Sequence, residues 1–260
     1  MTRIIAVTSG KGGVGKTTLT SNLGYALTEL GHDVTLMDTN LTTPNLGMHL
    51  GMYMTSKNLH KVLKGKIKMR DATYIHPFGF KVIPSSINLE DLTGVDPANL
   101  KTSLLSLVGQ TDFVILDSAA GLGRESLSSI NAADEILIIT NPDLPSVVDA
   151  LRATQIARGQ NKKILGVVIN RKTNKSHELN AKEIENVLSI PVLVEIPEDK
   201  TVHQSIAAKK PLLEYEPNSP AAFEIRRLAY YLAGRDFPFE RTQIKQRFPF
   251  LSRLIDWMLK

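Results

Sequence analysis

Two lysines lie close together in a glycine-rich stretch near the start of the chain. The stretch GKGGVGKT at residues 10–17 places Lys16 before Thr17, and Lys11 before a pair of glycines. Glycines let successive backbone N–H groups turn toward phosphate oxygens, and a lysine beside them adds positive charge. The spacing G-x-x-x-x-G-K-T therefore predicts a site for nucleotide phosphates. Its binding residues are Gly12, Gly13, Val14, Gly15, Lys16, Thr17 and Thr18.

Thr17 and Asp117 are the candidates for holding a magnesium ion. Asp117 ends the apolar run FVILD, and Thr17 follows the second lysine of the loop. A carboxylate at the end of a buried strand and a hydroxyl at the start of a helix suit the Mg²⁺ that accompanies nucleotide phosphates. We therefore expect a nucleotide and Mg²⁺ as cofactors, with Thr17 and Asp117 as the metal residues; the resemblance described below implies that the nucleotide is ATP.

Three further residues are expected at the base end of the nucleotide. Asn170 ends the run GVVIN, and its amide carries both a donor and an acceptor, which suits the edge of an adenine. An asparagine after a strand is about as often a turn residue, and that reading stays open. Pro197 and Glu198 follow the last strand-like run and are expected on the same side of the crevice.

The elements that must position these residues alternate along the chain. Short runs rich in Val and Ile show little polar alternation, as expected for strands buried on both faces. These runs lie at 3–8, 33–37, 80–84, 113–117, 135–140, 164–169 and 192–196. Helical patterns lie at about 17–30, 97–109, 145–157, 180–189 and 219–233. The alternation predicts an α/β fold with a single doubly wound, mostly parallel sheet and helices on both faces.

Composition limits the class of protein and its organisation. The chain has 260 residues, a net charge of +5 and no cysteine, which excludes disulfides, thiolate metal sites and iron–sulfur clusters. Met1 leads directly into a strand-like run and no apolar stretch is long enough to span a bilayer, so we expect neither a signal peptide nor a membrane span. The patterns predict a P-loop domain over 1–234 and a basic linker with an amphipathic segment over 235–260.

The end of the chain is both basic and amphipathic. Residues 235–260 hold six Lys and Arg against three Asp and Glu, and FPFLSRLIDWMLK at 248–260 has apolar residues at helical spacing. A Trp/Phe/Leu face with basic flanks is typical of a helix that lies in an anionic membrane surface. The predicted membrane residues are Phe250, Leu251, Leu254, Ile255, Trp257 and Met258. The alternative is that this helix packs on its own domain.

The lysine before the glycine pair narrows the class of nucleotide-binding protein. The pattern K-G-G-x-G-K-T-T at 11–18 resembles the deviant Walker A ATPases, the MinD/ParA family. The resemblance implies that two ATP-bound subunits form a homodimer, and that Lys11 reaches the phosphates of the other subunit and neutralises developing charge. It assigns catalysis to four residues, Lys11, Lys16, Asp38 and Asn40. Of these, Asp38 would position the attacking water.

The MinD-type branch is the part of this family that the chain resembles over nearly its whole length. The stretch MDTNLTTPNLGMHLGM at 37–52 resembles the first switch of that branch and assigns Asn45 to nucleotide binding, while DSAAGLG at 117–123 resembles the second switch. Two residues depart from the pattern. Asn40 stands where a second aspartate is usual, and Ala119 replaces the switch proline. An amide carries no negative charge, so we expect slow or partner-dependent turnover with retained binding.

The function implied by this resemblance is that of a slow, dimer-dependent ATP hydrolase. It would be cytoplasmic and peripherally attached to the inner face of the cell membrane, and it would recruit an unidentified protein partner or activator for spatial regulation of cell division. Two alternatives remain open. A ParA-type partition ATPase would bind nonspecific DNA, to which the run KNLHKVLKGKIKMR at 57–70 offers six basic residues and no acid. A nucleotide-switched adaptor would hydrolyse ATP very slowly.

Overall fold

A computed structural model describes residues 1–52 and 55–238. Its strands are β1 Arg3–Thr8, β2 Val34–Asp38, β3 Tyr74–Ile75, β4 Lys81–Ile83, β5 Phe113–Asp117, β6 Glu135–Thr140, β7 Lys163–Lys172 and β8 Val192–Pro197. They form one sheet in the order β3-β4-β2-β5-β1-β6-β7-β8. Every neighbouring pair is parallel except β3 and β4. The predicted mostly parallel sheet is therefore confirmed.

Helices cover both faces of this sheet. They are α1 Lys16–Glu29, α2 Leu46–His49, α3 Leu59–Leu63, α4 Leu89–Leu92, α5 Leu100–Leu104, α6 Arg124–Ala132, α7 Leu144–Gly159, α8 Ala181–Leu188, α9 Lys200–Ala207, α10 Leu212–Tyr215 and α11 Pro220–Leu232. Short 3₁₀ turns lie at Met69–Ala72, Pro97–Asn99 and Leu105–Leu107. None of the helices in the described part of the chain is long and apolar enough to cross a membrane.

Both faces of the central strands are buried, which explains their lack of polar alternation. In β1, Ile4 and Ala6 pack in the core layer that contains α6, α7 and α8. Ile5 and Val7, on the opposite face of the same strand, pack with α1 and α11. Alternate side chains of one strand thus enter two different cores, and each needs an apolar residue.

The structure contains helices outside the predicted patterns, such as α6 and α9, and it departs from the predicted elements at 97–109 and at β3. The pattern at 97–109 predicts one helix, but the chain there forms two 3₁₀ turns around the single turn of α5. The hydroxyl of Ser103 donates to the carbonyl of Asn99, and the hydroxyl of Ser106 donates to the carbonyl of Ser103. These side chains therefore compete with backbone N–H groups for the carbonyls that a regular helix would use. The second departure is β3, an antiparallel edge strand of two residues that is too short to give a periodic signal.

The parallel strands bring the predicted site residues to one edge of the sheet. The segments that follow β1, β2, β5, β7 and β8 leave from the carboxyl ends of these strands, the edge where open α/β sheets bind ligands. Helix α11 ends at Leu232, and Gly234 has a φ of +65°. The predicted membrane residues 250–258 lie outside the described residues, and the division at residue 234 stays a prediction.

Candidate functional site

The loop between β1 and α1 has the conformation expected of a phosphate-binding loop. Gly13 and Gly15 have φ values of +76° and +100°, a region that favours glycine because it has no Cβ. Helix α1 begins at Lys16 without a side-chain cap and without an acidic residue in its first turn. Its first N–H groups and the positive end of its dipole are therefore available to an anion.

Lys16 is held over this loop by a short chain of hydrogen bonds. Its side chain is buried, with only 7% of the residue exposed, and Nζ donates to Ser9 Oγ at 2.9 Å. Ser9 Oγ in turn donates to the backbone carbonyl of Lys11 at 2.7 Å. Burial lowers the pKa of Lys16, and the nearby charge of Asp117 opposes that shift. Ser9 was not among the predicted site residues, and only its position directly before the glycine-rich motif could have pointed to it.

Two buried carboxylates lie next to each other beside the loop. Asp38 ends β2 and Asp117 ends β5, and the two are direct partners in the register of these strands. Burial raises the pKa of Asp117 to about 6, although a hydrogen bond from Thr17 and the charge of Lys16 act against this. Burial, followed by the charge of Asp117, raises the pKa of Asp38 well above its ordinary value. The pair is therefore costly to ionise when no further positive charge is bound.

Asp117 and Thr17 fit the predicted magnesium role. Asp117 Oδ1 is buried and has no hydrogen-bond partner among the described residues, which is unusual for a carboxylate oxygen. Thr17 contributes a hydroxyl that bonds to the same carboxylate. Carboxylate and hydroxyl oxygens are suitable neighbours for a hard cation and its water ligands. The geometry thus brings together the two residues predicted for the metal.

Asp38 orders the loop that follows β2. Its Oδ1 accepts from the backbone N–H of Asn40 at 3.1 Å, and its Oδ2 accepts from those of Asn45 and Leu46 at 3.0 Å each. These amide donors favour the charged carboxylate and partly offset its burial. Both oxygens are directed to the backbone, so in this conformation Asp38 holds the start of α2 in place.

The side chains of Asn40 and Asn45 both bond within the same loop. Asn40 Nδ2 donates to the carbonyl of Thr43 at 2.6 Å, and Asn40 Oδ1 accepts from the N–H of Thr43 at 3.2 Å. Asn45 Nδ2 donates to the same carbonyl at 2.9 Å. The amide at position 40 therefore contributes a donor that an aspartate would not have.

A cleft beside the phosphate loop collects the residues predicted for the base. Its lining includes Gly15, Thr18, Asn170, Arg171, Pro197, Glu198 and His203. Asn170 Nδ2 donates to the carbonyl of Val14 at 2.7 Å, and a Cβ on Gly15 would lie 2.4 Å from the same nitrogen. The asparagine therefore supports the phosphate loop as well as lining the cleft. Arg171 and His203 were missed, although Arg171 directly follows the predicted asparagine.

The tip of the loop is exposed, and the start of the loop at Gly10 lies against α7. Lys11, Gly12 and Gly13 are exposed, whereas Val14 is buried. A Cβ on Gly10 would come within 2.1 Å of the backbone oxygen of Asp149, so the loop backbone and α7 are in close contact. Lys11 is thus separated from Lys16, which points into the loop while Lys11 lies at its surface.

Comparison with known proteins identifies the family. A profile described as "NUBPL iron-transfer P-loop NTPase", of the ParA group, matches residues 1–233. An uncharacterised ATP-binding protein of Methanocaldococcus jannaschii is 36% identical over 251 residues, which cover 96% of this chain and 94% of that protein. This chain belongs to the ParA/MinD family of P-loop NTPases. The membership predicted from the two lysines is confirmed.

Two solved structures extend the comparison. MinD from Pyrococcus horikoshii, solved in complex with Mg-ADP, is 33% identical with a TM-score of 0.86, covering 89% of this chain and 96% of that one. A chain of the MinC:MinD cell division protein complex from Aquifex aeolicus is 28% identical with a TM-score of 0.82, covering 92% and 98%. Both likenesses cover most of this chain.

Proposed function

We propose that this chain is a MinD-like ATPase that dimerises when ATP is bound and hydrolyses ATP slowly. It would attach peripherally to the inner face of the cell membrane and recruit a protein partner for spatial regulation of cell division. The observation that carries the proposal is the separation of the two lysines. Lys16 is buried and bonded to Ser9, whereas Lys11 is exposed at the tip of the same loop.

An exposed second lysine supports a role between subunits. Lys16 already supplies the charge that a phosphate loop needs within its own chain, so Lys11 is available to another anion. In a face-to-face dimer the nearest anion would be the phosphate chain of the second subunit. A positive charge placed there stabilises the negative charge that develops during hydrolysis, as an arginine finger does.

The helix that lies against Gly10 carries exposed apolar side chains of the kind that such a contact needs. Leu144 and Val148 lie one turn apart on α7 and are 60% and 38% exposed. The same helix contacts the loop at Gly10 through the backbone of Asp149. Burying these side chains in a dimer would remove apolar surface from water directly beside the nucleotide site.

The remaining site residues would hold ATP and Mg²⁺ in a fixed position. The loop amides and Lys16 would bind the phosphates, and Thr17 and Asp117 would hold Mg²⁺, which neutralises phosphate charge when bound. Asp38 would keep the following loop in place and position the attacking water, with Asn40 and Asn45 beside it. Asn170, Pro197 and Glu198 would bind the base. The absence of a carboxylate at position 40 would keep turnover slow.

Similar proteins support a protein partner, and the amphipathic sequence at the end of the chain supports a membrane contact. Proteins similar to this chain are named septum site-determining protein MinD, and one similar structure is a MinC:MinD complex. The amphipathic face at residues 248–260 would insert weakly in a monomer and firmly in a dimer, because pairing doubles the anchor.

Nonspecific DNA remains the second candidate ligand, because one basic segment is well exposed. In the run at 57–70, Lys57, Lys66, Lys68 and Arg70 are exposed, and the salt bridges among the described residues include none of them. Such a surface favours phosphate contacts of a kind that weaken steeply with salt.

The dimer is tested by the mass of the protein in solution and by its ATP turnover. With ATP and Mg²⁺ the wild type should double in mass by light scattering, and Lys11→Ala should bind ATP within a few-fold of wild type yet lose turnover. Lys66→Ala removes an exposed lysine elsewhere and serves as the control. Full turnover in the Lys11 variant would refute the role between subunits.

The membrane contact is tested by sedimentation with anionic liposomes. ATP should increase the pelleted fraction, and a chain ending at residue 247 should lose it while keeping ATP turnover. Equal pelleting of the shortened chain would refute the anchor. ATP-dependent and salt-sensitive retention on duplex DNA, without liposome binding, would favour the partition-type alternative.

A further inference from the structure

One residue of the loop after β2 is held from two sides. The backbone N–H of Leu41 donates to Glu125 Oε2 at 2.9 Å, and its carbonyl accepts from His60 Nε2 at 3.0 Å. Leu41 itself is buried. His60 belongs to α3 and Glu125 to α6, so two separate helices fix both polar groups of a single loop residue.

His60 can make its contact in one protonation state only. Its ring is fully buried, and Nδ1 accepts from the N–H of Ser86 at 3.0 Å. The carbonyl of Leu41 can only accept, so Nε2 must carry the proton and the ring must be neutral. Burial lowers the pKa of His60, which favours this neutral form. The imidazole is therefore fixed as a bridge between two backbone segments.

Glu125 contacts the same loop more than once. Besides Leu41, its Oε2 accepts from the N–H of Thr42 at 3.3 Å, and the hydroxyl of Thr42 donates to its other oxygen. Glu125 lies in the first turn of α6, directly after the loop that begins at Asp117. Its carboxylate thus connects the segment after β5 to the segment after β2.

A second link from α6 reaches the same two segments. Ser129 Oγ donates to Thr39 Oγ1 at 2.8 Å, and Thr39 Oγ1 donates to the carbonyl of Asp117 at 2.9 Å. These groups are buried, so the bonds form in a region of low dielectric where they are strong. The segments that follow β2 and β5 are therefore also connected by contacts made outside the nucleotide site.

We propose that His60 and Glu125 are positioning residues for ATP hydrolysis. They hold the loop at 38–46 through Leu41, and so keep Asp38 and Asn40 in register with the phosphate loop. This proposal rests on the proposed ATPase function. Neither residue belongs to the predicted nucleotide or metal contacts, and their effect passes through the backbone of the loop. Misplacement of a catalytic group by about 1 Å can lower turnover by about 100-fold.

The chain provides a matched control in His76. This histidine is also buried, its Nε2 lies 3.2 Å from the carbonyl of Leu50, and its Nδ1 accepts from the N–H of Phe78 at 3.3 Å. Burial lowers its pKa as well. It forms the same two kinds of bond, but at the end of α2 and not in the loop at 38–46. Substitution of His76 therefore measures how much stability and turnover are lost when a buried histidine outside this loop is removed.

The test compares His60→Ala, Glu125→Ala and His76→Ala in the full-length protein, because alanine has no group that can replace the lost hydrogen bonds. Each is measured for ATP turnover, for KM, for urea unfolding and for hydrogen exchange of the amides at 39–46. We expect the first two variants to lower kcat by about tenfold or more with KM within about twofold, and to speed exchange at residues 41 and 42. His76→Ala should lose comparable stability but keep kcat within about twofold.

The double variant of His60 and Glu125 should be no slower than the slower single variant, because both act on one loop residue. Unchanged exchange at 41 and 42 in both single variants, or an equal loss of kcat in His76→Ala, would overturn the positioning role. A wild type that does not turn over MgATP at all would instead refute the ATPase function, and with it the proposal that depends on it.

Discussion

Replacing Asp117 by asparagine should stabilise the nucleotide-free protein at neutral pH. Asp117 is buried beside Asp38, and its pKa is raised from 3.8 to about 6, with burial as the main cause. A carboxyl with a raised pKa in the folded state stabilises the fold below its ordinary pKa, and that contribution is lost as pH rises through about 6. An asparagine side chain at this position would have no charge to bury at any pH.

The size of the effect follows from the shift. From 3.8 to about 6 is about two pKa units, which corresponds to about 3 kcal/mol at about 1.4 kcal/mol per unit. The Asp117→Asn variant should therefore match the wild type near pH 4, where the carboxyl is protonated, and exceed it by up to about 3 kcal/mol at pH 7.5. Nearly all of this gain should develop between these two pH values.

Urea unfolding of the nucleotide-free protein at a series of pH values measures the difference. Asp199→Asn provides a control of opposite sign. Burial opposes the ionisation of Asp199, but hydrogen bonds, first from Thr201, outweigh it and lower its pKa. The ionised carboxylate of Asp199 stabilises the fold, and this stabilisation is lost as pH falls. The difference in free energy of unfolding between wild type and Asp199→Asn should therefore grow in favour of wild type as pH rises. If the difference in free energy of unfolding between Asp117→Asn and wild type does not change with pH, ionisation of Asp117 does not destabilise the folded protein, and the reasoning is refuted.

Three further substitutions test the geometry of the site. Gly10→Ala would place a Cβ 2.1 Å from the backbone oxygen of Asp149. The variant should therefore lower the free energy of unfolding by about 1–3 kcal/mol, measured by thermal denaturation, and weaken ATP binding, measured by titration. Unchanged stability would contradict the close contact. Asn40→Asp removes the amide donor to Thr43, which should cost about 1 kcal/mol, yet it adds a carboxylate and should raise turnover several-fold. An unchanged rate would identify the asparagine as a neutral replacement. Asn170→Ala removes the 2.7 Å bond to the phosphate loop and should raise the Kd for ADP by about tenfold, whereas an unaltered Kd would exclude this support.

Much of the fold could be predicted because its signals are local in the sequence. Runs such as 113–117 and 135–140 coincide with β5 and β6, since strands buried on both faces need unbroken apolar sequence. The helix at about 17–30 was also predicted, and it ends shortly before Gly31, which has a φ of +86°. The structure at 97–109 was predicted wrongly as one helix. Its serine side chains compete for backbone carbonyls, and the spacing of apolar residues does not reveal that competition.

The sequence by itself determined the chemical inventory of the site, because the phosphate loop, its two lysines and the strand-ending Asp117 are recognised by residue type and spacing alone. Only the tertiary structure decided how these groups affect one another. The pairing of β2 with β5 sets Asp38 beside Asp117, burial in the packed fold raises the pKa of both, and residues from two distant helices meet at Leu41. Desolvation and contacts between remote segments depend on how the chain packs, and no local pattern encodes them.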